Sequence, residues 1–253
     1  MSIYLKDNSM KLNTAETVDT VVAPVMPYTS LIMAGNQSLE TAFRLRRYGS
    51  TLSQVTLNGP WSANQPGFKA DGTALAYFDV DVTQQVPRTL MVTGIINKGG
   101  RFAGIGFDNP ENLKALLIER GSGVSGSGFP SKNFIPVWAG AASGIAGKQL
   151  VLDNEPDGAL TLFISGDSTG TRWGVIYNGI MKALAKDTTY QLSTTTGRTR
   201  IGGSSAQPTG GAIAAPAIYA AASFPRLLTD DELMQMADFM NGYAADMGAV
   251  MYE

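Results

Sequence analysis

Phe224-Pro225-Arg226-Leu227-Leu228-Thr229-Asp230-Asp231-Glu232-Leu233 decides the fold, because an apolar stretch ends in it and a helix begins. Thr229 has the side chain of an N-cap, and Glu232, three residues on, completes a capping box by reaching back to the cap's own N–H. Asp230 and Asp231 put negative charge in the first turn, where the helix dipole favours it. Leu228 and Leu233 stand at the two positions of a hydrophobic staple. Leu233, Met236, Ala237, Met240, Ala244 and Met247 then recur at helical spacing as one apolar stripe. The spacing predicts an amphipathic helix over 229–247, docked as a lid on the body of the protein.

Upstream of it the pattern is β. From about Gln54 the chain breaks into short apolar runs separated by Gly, Asn, Asp and Pro clusters. Runs at 88–96, 101–107, 113–120, 134–139, 149–152, 159–165, 171–178, 199–202 and 213–223 are among those that read as strands. Leu160, Leu162 and Ile164 share one face of a strand, and Trp173, Val175 and Tyr177 share one face of the next. Between them Gly166-Asp167-Ser168-Thr169-Gly170 reads as a hairpin turn. Strands at this spacing predict two packed antiparallel sheets. The segment 30–49 is expected to hold a short helix, around Leu39, Phe43 and Leu45.

Three pieces of this sequence carry a family resemblance. Phe224 to Leu233 resembles the closing segment of laminin-G-like, concanavalin A-like lectin/glucanase domains, in which a strand and an Arg-Leu pair lead into a Ser/Thr-x-x-Glu-Leu helix start. Arg200-Ile201-Gly202-Gly203 resembles the penultimate strand of those domains. Trp173 to Ala183, WGVIYNGIMKA, resembles their strand–turn–strand, with Asn178-Gly179 standing where the family has Asp-Gly. The resemblance implies an all-β, two-sheet antiparallel jelly-roll sandwich over residues 30–253, ending in the helix and preceded by an extended N-terminal arm, residues 1–29. It does not fix a role, because the family holds glycan binders, glycosidases and structural modules alike.

The composition narrows the chemistry. The 253 residues include no histidine and no cysteine, which removes the commonest general base, the commonest zinc ligand and every disulfide or thiolate. A net charge of −2, from 19 basic and 21 acidic side chains, argues against nucleic acid as a partner. The longest apolar run, 212–224, is interrupted by Pro216 and is too short for a bilayer span, so no membrane insertion is expected. The N-terminus lacks the basic-then-apolar order of a signal peptide.

Several short motifs look chemical. Gly166-Asp167-Ser168-Thr169-Gly170 has the spacing of a nucleophile elbow, but a strand follows it and the chain has no histidine to take the serine proton. Gly121-Ser122-Gly123-Val124-Ser125-Gly126 has the spacing of a dinucleotide fingerprint, but Gly128-Phe129-Pro130 follows where a helix should start. Asp153-Asn154-Glu155-Pro156-Asp157-Gly158 opens like a calcium loop, so Asp153, Glu155 and Asp157 are the candidate metal ligands and calcium is the one candidate cofactor. The twelfth position, however, is Ile164 rather than Glu. The same acids are the only dense carboxylates available for glycoside hydrolysis, and Pro156 breaks the alternation that would set a pair along a strand. No catalytic residue is assigned. Trp61, beside Pro60 and near Asn64 in a loop, is the best candidate for stacking on a sugar ring.

Domains of the resembled family mostly work outside cells, whereas no signal peptide is expected here. One economical resolution is a bacteriophage virion protein, made in the host cytoplasm. Ile3, Tyr4, Leu5, Val21 and Val22 of the arm would dock it to a neighbouring copy or to other virion proteins, as a head decoration or a tail, baseplate or fibre component. The alternative is a glycan-binding attachment module. A carboxylate glycosidase comes third.

Overall fold

The computed structural model describes residues 23–33, 56–58, 61–62, 67–70, 77–80, 88–96, 101–107, 116–119, 134–139, 149–188, 198–202 and 217–253. Their strands, in chain order, are β1 (Ser30–Met33), β2 (Thr56–Asn58), β3 (Trp61–Ser62), β4 (Phe68–Ala70) and β5 (Tyr77–Val80). Then come β6 (Arg88–Ile95), β7 (Arg101–Phe107), β8 (Leu116–Glu119), β9 (Phe134–Ala139) and β10 (Gln149–Val151). The last are β11 (Leu160–Asp167), β12 (Gly170–Tyr177), β13 (Ile180–Ala183), β14 (Arg198–Gly202) and β15 (Ala217–Phe224). The helix α1 (Asp230–Asp246) closes the chain.

One sheet runs β13-β12-β11-β6-β15-β4-β3, with β1 also paired to β15; the other runs β10-β9-β8-β7-β14-β5-β2. Every ladder is antiparallel, as the short turns and alternating apolar positions anticipate. Leu160, Leu162 and Ile164 of β11 and Trp173, Val175 and Tyr177 of β12 join Ile135 of β9, Leu150 of β10 and Ile201 of β14 in one core. That core therefore draws on both sheets, which makes the architecture a sandwich.

The opposite face of the first sheet is also buried, under α1. Met91, Phe163, Ile176, Ala220, Ala222 and Phe224 meet Leu233, Met236, Ala237 and Met240 there. This explains why β11 is buried almost end to end although its sequence alternates: Thr161 and Ser165 face the helix and are satisfied by hydrogen bonds. Thr161 Oγ1 donates to Asn241 Oδ1 (2.8 Å) and is paired with Thr93 Oγ1, so Thr93 must be the donor between the two hydroxyls. Near the start of the helix, Thr89 Oγ1 donates to the Arg226 carbonyl (2.9 Å) and accepts from the Leu228 N–H, which leaves Ser165 to donate to Thr89. These hydroxyls fix where the helix sits along the sheet.

The ends of α1 follow the sequence. Thr229 and Glu232 form the reciprocal capping box, and Leu228 and Leu233 are both buried in the core beneath the helix. At the other end the Gly248 N–H bonds to Ala245 O (2.9 Å) and the Ala249 N–H to Ala244 O (3.0 Å), the two bonds of a Schellman motif.

Ser30–Met33 is a strand: the Thr29 N–H and hydroxyl both donate to Ser223 O, and Ser30 to Met33 then pair with Ser223 to Ala220, while the helix expected around Leu39, Phe43 and Leu45 falls outside the described residues. A partner strand decides this segment, and its own propensity does not. The rest of 30–49 lies outside the described residues. Ala23 and Val25, which the sequence placed in an arm over 1–29, are buried in the core beside α1. The described segment Ala23–Met33 packs on the body, and Ile3, Tyr4, Leu5, Val21 and Val22 lie outside the described residues.

Candidate functional site

The acidic turn 153–158 lies between β10 and β11, at an end of the sandwich built from three parts of the chain. Leu152 and Pro156 are buried, while Asp153, Asn154 and Asp157 are exposed. The apolar residues anchor the turn and leave its polar groups in solvent. Behind it runs the C-terminal segment: the Ala159 N–H donates to Val250 O (2.7 Å), and the Tyr252 N–H to Ala159 O (2.9 Å). This crossing requires a glycine at 158, because a Cβ there would lie 2.4 Å from the Met251 carbonyl carbon and the Tyr252 nitrogen.

Tyr252 holds the turn from inside. Its ring packs edge-on against Tyr177 at 4.7 Å between centroids, and its hydroxyl accepts from the Asn154 N–H and donates to Asn154 O, both at 3.3 Å. The third part is the β12–β13 hairpin. Asn178 (φ 46°) and Gly179 (φ 69°) turn it in two residues, with Tyr177 paired to Ile180, the geometry of a type I′ turn. Lys182 of β13 donates to the Asp153 carboxylate. Since β13 and β10 are terminal strands of the described sheets, this ion pair ties the turn that follows β10 to the edge strand of the other sheet. The hydrogen bond to Asp153 also holds the Lys182 ammonium above its ordinary pKa. Ile180 projects from the same hairpin, half exposed.

The candidate metal ligands are not brought together. Among the described residues no three acidic side chains come close enough to hold a metal. Asp153 is engaged by Lys182, and Ile164, at the position where a calcium loop needs its bidentate glutamate, is a fully buried core residue of β11. Trp61 proves to be on a strand rather than in a loop: it opens β3 and pairs with Ala70, at the sheet edge opposite β13. Its side chain and the whole of Asn64 lie outside the described residues.

Three further acids, Asp167, Asp230 and Glu232, are committed to structure. The Asp167 carboxylate accepts from the Thr169 hydroxyl and N–H, the Gly170 N–H and Lys186; these bonds, the Thr169 hydroxyl first, bring its pKa down to about 2. Glu232 is lowered to about 2 by Arg226 and by the N–H of Thr229. Arg172 lowers Asp230 by hydrogen bonding to it, with its guanidinium 5.7 Å from the Phe163 ring centre. A general acid for glycoside cleavage needs the opposite shift.

No family model and no curated protein matches this sequence; the similarities found are between folds. The structure resembles Trypanosoma rangeli sialidase in complex with sialic acid, with a TM-score of 0.55 and 14% identity, over 87% of this chain and 36% of that one. It resembles a botulinum neurotoxin type C chain, from a study of cell entry dependent on two ganglioside molecules, with a TM-score of 0.52 and 14% identity, over 85% of this chain and 51% of that one. It also resembles the exoplasmic/lumenal domain of VIP36 in its Ca2+/Man-bound form, with a TM-score of 0.52 and 10% identity, over 79% of this chain and 91% of that one. This chain thus spans about a third of the sialidase chain and half of the toxin chain. The fold is a lectin-like, concanavalin A-like β-sandwich.

Proposed function

We propose that this chain is a non-enzymatic carbohydrate-binding module. The observation that carries the reading is a fold shared over most of both chains with a lumenal domain described in a mannose-bound form. The candidate surface is the end formed by Asp153, Asn154, Asp157 and Asn178, exposed on turns that core residues hold in place, with Ile180 exposed at the start of β13. A carboxylate or carboxamide suits the paired hydroxyls of a sugar ring, and an aliphatic side chain suits its C–H face. The absence of histidine, together with the lowered pKa values of Asp167, Asp230 and Glu232, supports binding over hydrolysis even though one similar fold is a sialidase. The phage-particle role, with its homo-oligomeric and virion partners, rests on arm residues outside those described and gains nothing from the fold likenesses. Glycan binding therefore stands first.

Glycan-array screening followed by calorimetry tests the reading. Saturable binding is expected with no release of cleaved sugar, and Asp157→Ala is expected to weaken it by about tenfold, the loss of one charge-assisted hydrogen bond. An array without binders would end the proposal. Binding that Asp157→Ala leaves intact would move the site elsewhere, with Trp61→Ala as the next variant.

A further inference from the structure

Asparagine precedes glycine at Asn58-Gly59, Asn178-Gly179 and Asn241-Gly242. The pairing is chemically distinct, because a glycine nitrogen has no neighbouring side chain to keep it from the Asn side-chain carbon. Gly59 lies outside the described residues; the other two pairs are described in full, in opposite settings. Asn241-Gly242 sits inside α1, where Asn241 Oδ1 accepts from Thr161 and the backbone is held in helical hydrogen bonds. Asn178-Gly179 is the exposed tip of a two-residue hairpin, and a Cβ built on Gly179 meets nothing within 4 Å. In such a turn the ladder bond joins the flanking residues, so the Gly179 N–H is not tied into it.

We propose that Asn178 is a site of spontaneous deamidation and isomerisation through which the β12–β13 hairpin, and with it the Asp153–Lys182 clasp, is released. The Gly179 nitrogen attacks Asn178 Cγ. The N–Cγ bond forms and the Cγ–Nδ2 bond breaks, and ammonia leaves carrying the proton that the glycine nitrogen gives up. Water then opens the succinimide ring and returns a proton to the nitrogen. Attack at Cγ yields aspartate, and attack at the main-chain carbonyl carbon yields isoaspartate.

The two products act differently on the fold. Aspartate keeps the turn, since Asp-Gly is as good a type I′ pair as Asn-Gly. Isoaspartate adds a methylene to the main chain of a two-residue loop, and loop length sets the register of the strands it joins. The pairs Tyr177 with Ile180, Ile176 with Met181, Val175 with Lys182 and Gly174 with Ala183 all depend on that register. Losing them takes Lys182 away from Asp153 and opens one side of the sandwich beside the acidic turn.

The test is to hold the full chain at mildly alkaline pH and follow each site by peptide mass spectrometry and isoaspartyl methylation. Amide hydrogen exchange is measured on the same samples. Isoaspartate is expected at Asn178 at least about tenfold faster than at Asn241, because hairpin tips open more readily than packed helices, and the two rates should converge in denaturant. Exchange at Ile180–Ala183 should rise with the isoaspartate fraction and stay low in fresh Asn178→Asp protein. Equal native rates at the two asparagines would overturn the proposal. So would isoaspartate at Asn178 without faster exchange in β13.

Discussion

Tyr252 shows how much rests on single groups here. One phenol hydroxyl serves both the N–H and the carbonyl of Asn154, and the same ring fills the core against Tyr177. Nothing in the sequence around Tyr252 pairs it with residue 154. The contact spans 98 positions and exists only because the C-terminal segment folds back across Gly158. Gly242 is the converse case, a helical residue whose missing side chain no contact requires: a Cβ there would meet no atom within 4 Å. Gly242→Ala is therefore expected to stabilise the protein by about 0.5–1 kcal/mol, the helix-propensity difference. Urea denaturation would read this as a higher midpoint at unchanged slope.

At the scale of elements, α1 was fully legible, since capping box, staple and stripe are local patterns and the structure realises each of them. The strands at 88–95, 101–107 and 134–139 were legible for the same reason. β1 was not, because its conformation comes from a partner nearly 200 positions away. The capping box also predicts acid sensitivity. Glu232 falls from an ordinary 4.5 to about 2, and Asp167 from 3.8 to about 2. A carboxyl group with a depressed folded pKa adds stability that is complete above its unfolded pKa and disappears as pH falls through the folded one. Stability should thus decline between about pH 4.5 and pH 2. Glu232→Ala should lower stability by about 1 kcal/mol at neutral pH, the worth of a cap, and flatten that decline. Thermal melts across the acid range check both.

At the scale of the molecule, the sandwich and its closing helix could be read from the sequence, whereas the proposed surface could be read only in part. The acidic turn stood out as a cluster of carboxylates, but the ion pair from Asp153 to Lys182 links the turn after β10 to β13 of the other sheet, and no spacing rule reports that. The burial of Ala23 and Val25 was not legible, because they look like any apolar pair in an extended segment until α1 covers them. A chain beginning at Ser30 should be about 2 kcal/mol less stable than one beginning at Ala23, chiefly through the lost burial of Val25. Equal melting points would show that this segment contributes no stability. The order of strands has a consequence for biosynthesis. β15 lies between β6 on one side and β1 and β4 on the other, so strands made early wait on one of the last made to join them. Until residue 217 and its successors have been made, the first sheet is expected to stand as two unjoined halves with apolar faces open to solvent, a state prone to aggregation until that strand emerges.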